Sequence, residues 1–348
     1  MGSELKYKKC CEVSDKQLVP EPIRDAEGRL VGREVIETEW PAQDKRVRIV
    51  GDRVVLSKPK QTLHEFFISE LHHQFGQDWF DEQEKLTEDE WHPVAQWWVL
   101  FGKLHGGELD DFEVLKREEN LYSAEMPGEV KSLICLAYDL YTLGDALSLP
   151  ASPLKRLRHK DQFQGARYEL AMAAVFIRAG CKIEWITDTT RKLPEFIARD
   201  GKIEIVVEAK SRHRRGILGR PGEAPDIDAL EIDVQALLSK ALLKETDERP
   251  YVICIDLNLP IDKSSSVHDW MAELEKKVLR EHGFETTGQR EPYSAILFTN
   301  YSWHWDGQGS VSNPINTAAR ANKAGTPLPM KQFGRIAEAM LQYGDVPG

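Results

Sequence analysis

The chain has 348 residues, 41% of them hydrophobic and 30% charged, with a formal net charge of −11. That length favours two domains, or one domain with a sizeable extension, and the composition is that of a folded soluble protein. The negative balance argues against a general nucleic-acid binder. No apolar run approaches the ~18 residues that span a bilayer, and five irregularly spaced cysteines without a CxxC pair argue against a disulfide framework or zinc knuckle.

At the N-terminus, Lys6, Lys8 and Lys9 are not followed by the apolar core of a signal peptide. With the cysteine usage, this predicts a cytoplasmic protein. Residues 28–58 read as short strands: GRLVGREVIETEW and RVRIVGDRVVLS alternate apolar and polar residues, and Gly51-Asp52 suits a tight turn. From about 61 to 146 the pattern becomes helical. LHEFFISELHHQF sets Leu63, Phe66, Phe67, Leu71 and Phe75 on one side. A Trp-rich helix, WHPVAQWWVLF, follows; it starts after a Thr87–Glu90 capping box, or at His92 with Pro93 in the first helical position. PGEVKSLICLAYDLYTL is a third helix.

Residues 147–160, LSLPASPLKRLRHK, read as a linker and domain boundary. The helix FQGARYELAMAAVFIRAG comes next, closed by Gly180 in the C′ role. A strand CKIEWIT leads into a hairpin, and DALEIDVQALLSKALLK reads as a helix. PYVICIDLNL is a buried strand, HDWMAELEKKVLREHG a helix and PYSAILFTNY a further strand. Residues 306–328, rich in Gly, Ser and Asn, read as irregular before a terminal helix around KQFGRIAEAMLQY. The chain thus divides into an acidic, mostly helical domain at 1–150 and an α/β domain at 151–348 with a mixed sheet, in which a meander is followed by crossovers.

Charge separates the two parts. Residues 151–220 carry sixteen Lys/Arg against eight Asp/Glu, a balance of +8, whereas residues 61–130 carry four against seventeen, a balance of −13. The basic segment suits phosphates, and the acidic one suits a protein partner or solvent.

The hairpin PEFIARDGKIEIVVEAK (194–210) carries the chemistry. Its Asp200-Gly201 pair is the strongest short turn signal in the chain. A two-residue turn there opposes Arg199 to Lys202 and Ile197 to Glu204. Period-two alternation then gives Phe196, Ala198, Ile203, Ile205 and Val207 to a core face, and Glu195, Glu208 and Lys210 to the other. Two converging carboxylates repel unless a cation or proton intervenes. Mg²⁺ suits such oxygens, and an adjacent lysine stabilises charge developing in phosphoryl transfer.

The order of Glu169 on a helix, Pro194-Glu195, then Glu208-Ala209-Lys210 resembles the PD-(D/E)XK nuclease superfamily, the restriction-endonuclease-like fold. The predicted run of helix, three strands, helix and strand, about residues 163–260, resembles the same core. The resemblance implies a catalytic set of Glu169, Glu195, Glu208, Lys210 and Gln235. It implies Mg²⁺ or Mn²⁺ held by Glu195, Glu208 and the Ala209 carbonyl, with Lys210 acting on the attacking water. Glu195 stands where the family usually has the shorter Asp. Gln235 reads equally well as a helix-surface residue. The run Arg212, His213, Arg214, Arg215, with Arg220 following, reads as a phosphate-contacting edge rather than a solvated loop. The implied activity is a metal-dependent nuclease, an endonuclease in family terms, acting on DNA rather than RNA. By analogy of fold such chains belong to restriction or phage-defence systems, and many act as homodimers. The alternative is a catalytically inactive nuclease-like module that binds nucleic acid or holds a complex together.

Other features read as structural. The tripeptide ExK recurs at Glu4–Lys6, Glu129–Lys131 and Glu275–Lys277, so position alone gives the Glu208 copy its weight. His64, His72, His73, His92 and His105 lack zinc-ligand spacing, and Trp79, Trp91, Trp97 and Trp98 read as core or interface residues. Neither GxxxxGK[ST] nor GxGxxG occurs.

Overall fold

The computed structural model describes residues 23–24, 30–32, 46–57, 61–108, 114–118, 121–124, 126–188, 190–213, 230–244, 246–258, 293–301, 303, 315–320 and 327–347. Two short hairpins open the described chain: β1 (Ile23–Arg24) with β2 (Leu30–Gly32), and β3 (Arg46–Val50) with β4 (Arg53–Ser57). Gly51 takes φ 60° in the second turn, as its place beside Asp52 suggests.

Helix α1 (Leu63–Phe75) starts at a capping box. Glu65 N–H donates to Thr62 Oγ1 (3.2 Å), and Thr62 N–H donates to the Glu65 carboxylate (2.7 Å). After α2 (Gln77–Gln83), the Trp-rich helix α3 (Pro93–Gly106) begins at His92. Its ring Nδ1 accepts from Val94 N–H at 3.2 Å, and Pro93 takes the first helical position. Thr87 and Glu90 do bond to each other, but in the turn before the helix. A hairpin of β5 (Val114–Glu118) and β6 (Leu121–Ala124) interrupts what reads as a helical region. Helix α4 (Gly128–Asp145) is apolar nearly all round and accordingly buried.

Residues 147–160 are not a linker. They hold helix α5 (Ala151–Leu157), whose Pro153 falls in its first turn, where a missing N–H costs nothing. Its Leu157 is fully buried. Helix α6 (Lys160–Arg178) follows and ends with Gly180 at φ 90°, as expected.

The central sheet has the order β12-β11-β10-β9-β8-β7. Strands β7 (Lys182–Trp185), β8 (Phe196–Asp200) and β9 (Ile203–Ser211) form an antiparallel meander. Helix α7 (Leu230–Leu242) crosses over to β10 (Tyr251–Asp256), which pairs parallel with both β9 and β11 (Ala295–Asn300). Edge strand β12 (Ile315–Arg320) is antiparallel to β11, and α8 (Met330–Leu341) closes the chain. The fold is therefore α/β with a mixed sheet flanked by helices. β12 corrects the irregular reading of 306–328: the composition hides a strand that is stabilised by pairing along β11. The expected helix at 268–283 lies outside the described residues.

The sheet's two faces have separate cores. On one, Phe196, Ala198, Ile205, Val207, Val252 and Cys254 pack on α6, and this core continues through α6 to α4 and α1. On the other, Val206, Ile253 and Ile255 pack on Val234, Leu238 and Ala241 of α7. Cys135, Cys181 and Cys254 are free and buried. Burial pushes the Cys135 thiol up to about 12 and that of Cys181 up to about 11, which leaves both unreactive.

Candidate functional site

The β8–β9 hairpin pairs Asp200 with Ile203 and Phe196 with Val207. The turn is thus Gly201-Lys202, with Gly201 at φ 60°, one residue later than Asp200-Gly201. Each residue's partner moves by two, from Ile197 opposite Glu204 to Ile197 opposite Val206. An even shift keeps every side chain on its face. Glu208 and Lys210 remain on the side of Val206, and β10 confirms this by setting Ile253 and Ile255 beside them. Both belong to the layer facing α7.

Glu195 stands one residue before β8, fixed from both sides. Its N–H donates to the Val207 carbonyl at 3.0 Å, and its carbonyl accepts from Ile186 N–H at 3.1 Å. Lys210 Nζ lies 3.2 Å from Glu195 Oε1 and still closer to Glu208 Oε1. The three residues singled out in the hairpin therefore converge. A fourth joins them that sequence reasoning missed. Lys244, two residues beyond α7, places Nζ 3.2 Å from Glu208 Oε1 and 3.9 Å from Glu195 Oε1. The cluster thus contains two carboxylates and two ammonium groups.

Glu208 is 0% exposed, walled by the apolar layer under α7. Burial pushes its carboxyl up to about 7; Lys210 opposes the shift and the negative charge of Glu195 adds to it. Burial alone would lower Lys210, yet the two carboxylates outweigh it and the net shift is upward.

Glu169 reaches the neighbourhood from α6, in the other layer. Its carboxylate is held by both terminal nitrogens of Arg156, one of them at 2.9 Å. Burial raises Glu169, with Glu195 adding to the shift, while Arg156 and Lys210 lower it. Arg156 is the second residue missed, because its helix α5 reads as a linker. The signal for it was the basic cluster LKRLRHK itself.

A cleft of about 600 Å³ opens beside the cluster, lined by Arg156, Glu169, Ala209, Lys210, Arg212, His213 and Lys240 among others. Arg212 lines it while being only 2% exposed. Its N–H donates to the Asp256 carbonyl (3.0 Å), and its carbonyl accepts from Asn258 Nδ2 (3.0 Å). His213 lies so close to Gly165 that a Cβ there would stand 2.9 Å from its ring Nε2. Gln235 is half-buried on α7 and does not line the cleft, whereas Ala236, Leu237 and Lys240 do. Its assignment to the catalytic set finds no contact in its favour. Arg214, Arg215 and Arg220 lie outside the described residues.

The cluster's chemistry suits a divalent cation. Glu208 meets both lysines through Oε1, while its buried Oε2 accepts no hydrogen bond. Such an oxygen is costly unless it is protonated or ligates an ion. The Glu195 carboxylate shares the same lysines, and the Ala209 carbonyl is adjacent in the chain. Among the described residues no three His, Cys, Asp or Glu side chains converge as a metal cluster. The protein's share would be two carboxylates and a carbonyl, a set suited to Mg²⁺, which commonly keeps several waters.

Two of the N-terminal histidines, His72 and His92, have packing roles. Burial lowers His92 to about 3, and the His72 ring stacks on Phe80 at 4.8 Å between centroids. Trp97 is buried, and Trp79 and Trp98 pack against the same core. Among the described residues no helix is long and apolar enough to cross a membrane. No protein-family model, no curated protein and no solved structure matches the chain.

Proposed function

We propose that this protein is a divalent-metal-dependent nuclease with a PD-(D/E)XK-like core, hydrolysing phosphodiester bonds in DNA. The observation that carries this reading is the convergence of Glu195, Glu208 and Lys210, from three separate points of one hairpin, beside a cleft lined by cations. Bound Mg²⁺ or Mn²⁺ would supply Lewis-acid stabilisation of the charge that develops on the phosphoryl oxygens. Glu195, Glu208 and the Ala209 carbonyl are the groups that would hold it. Lys210, with Nζ between the carboxylates and its side chain on the cleft, orients the attacking water and stabilises developing negative charge. His213 and Lys240, both exposed on the cleft, offer donors to neighbouring phosphates. The acidic helices of the N-terminal part would meet a protein partner rather than the nucleic acid.

A second reading is favoured by one observation. Lys210 and Lys244 already neutralise the two carboxylates, as they would in an inactive module that binds nucleic acid without cutting it. Incubation with single-stranded, duplex and branched DNA, and with RNA, in Mg²⁺, Mn²⁺ or EDTA separates the two. Cleavage that needs metal and falls at least ~10²-fold in both Glu208→Ala and Lys210→Ala supports the nuclease. Cleavage unaffected by either substitution would sink the site assignment. Binding without cleavage under every condition selects the inactive module.

A further inference from the structure

Lys244 has three neighbours that fix its ammonium group. It donates to the Leu193 carbonyl at 2.8 Å, and lies 3.2 Å from Glu208 Oε1 and 3.9 Å from Glu195 Oε1. Its side chain is 20% exposed, and it is absent from the cleft lining, unlike Lys210 and Lys240. The chain arrives there because α7 packs its Val234, Leu238 and Ala241 face on the sheet and ends at Leu242. The next two residues then turn back toward the carboxylates, where Lys244 N–H donates to the Ala241 carbonyl at 3.1 Å. A cation held by a backbone carbonyl behind two carboxylates is placed to act on their charge, and is poorly placed to touch a substrate in the cleft.

We propose that Lys244 is a second resident counter-ion of the Glu195–Glu208 pair, behind Lys210, holding the two carboxylates beside each other and competing with a divalent cation for them. The proposal rests on the metal-dependent reading. It makes Lys244 a positioning residue: its charge sets how tightly the pair takes an ion, and its bond to Leu193 ties the residues just after α7 to the segment leading into Glu195. A fixed unit charge 3–4 Å from both carboxylates opposes the entry of a second cation. Removing that charge while keeping the bond to Leu193 should therefore tighten metal binding.

The test uses the full chain with Lys244→Gln, which keeps a hydrogen-bond donor, and Lys244→Arg, which keeps the charge. Calorimetric titration with Mn²⁺ alone, at one fixed pH, gives affinities without recourse to cleavage. The expected result is Mn²⁺ binding at least ~10-fold tighter in Lys244→Gln than in wild type, with Lys244→Arg close to wild type. The metal-free Lys244→Gln protein should also melt at a lower temperature. Unchanged or weaker Mn²⁺ binding in folded Lys244→Gln overturns the proposal and leaves the metal reading intact. Absence of Mn²⁺ binding in every form overturns both. Should Lys244→Gln fail to fold, wild-type protein labelled with ¹⁵N at lysine provides the second measurement. Mg²⁺ should shift the Lys244 ammonium resonance, and a resonance that Mg²⁺ leaves unmoved overturns the proposal.

Discussion

Glu208 shows how one residue's surroundings set its chemistry. It sits in the apolar layer between β9 and α7, and burial raises its carboxyl from 4.5 to about 7. Between those pH values the native state keeps a proton that the unfolded chain has released. The resulting stabilisation is fully present below about pH 4.5 and is lost as pH rises through about 7, amounting to about 3 kcal/mol at most. Denaturant unfolding in EDTA across roughly pH 4 to 8 should show wild type losing stability relative to Glu208→Gln over that window. A stability difference that stays flat with pH would show that the carboxyl is solvated. Metal binding runs the other way, since a ligating carboxylate must be ionised, and should strengthen as pH rises through the same range.

At the scale of the element, the two hairpins with Gly in the first turn position make a controlled pair. Gly201 and Gly51 both hold φ 60°. A Cβ on Gly201 meets nothing within 4 Å, so Gly201→Ala tests backbone strain alone and should cost ~1 kcal/mol. A Cβ on Gly51 would stand 2.6 Å from the Gly144 carbonyl oxygen and 2.6 Å from the Leu147 side chain, so Gly51→Ala adds a clash with backbone. It should cost at least ~2 kcal/mol by thermal or chemical denaturation. Equal losses at the two positions would mean that the β3–β4 turn does not pack on α4 as described. The β8–β9 turn also shows what pattern reading leaves open. An Asp-Gly pair marks a turn but does not say whether Gly201 takes its first or second position. The face assignment survived because both choices give an even register.

Over the whole molecule, the acidic helical part and the sheet share one buried core that runs from α1 and α4 through α6 to the sheet. A polar junction crosses the same boundary. Asp139 of α4 accepts from Arg178 of α6 at 2.7 Å and from the Tyr343 hydroxyl, beyond α8, at 2.6 Å. The Arg178 guanidinium lies 4.1 Å from the centre of the Tyr138 ring. Asp139 is 1% exposed and burial raises its carboxyl, so it depends on these partners. Asp139→Ala leaves the Arg178 charge buried and unpaired and should cost about 3–5 kcal/mol. Unfolding followed separately in the two parts, by hydrogen exchange at amides of α1 and α3 and at amides of β8 and β9, should move together in this variant. Separate transitions would show that the two parts fold independently. The compositional boundary near residue 150 is thus a boundary of charge, whereas the packing continues across it.

Much of this protein was legible in the sequence because it depends on local periodicity. Helix α1, the Gly180 stop, the β7–β8–β9 meander and the common face of Glu195, Glu208 and Lys210 all follow from spacings of two or of three to four residues. Lys244, Arg156 and β12 did not, because each owes its role to a partner far away in the chain. Lys244 matters through Glu208, Arg156 through Glu169, and β12 through the hydrogen bonds of β11. Sequence by itself determined which residues share a face. Only the tertiary structure decided that Glu208 loses its water, that a second lysine stands behind it, and that the acidic helices are packed on α6, since burial and charge pairing are properties of what surrounds a residue in space.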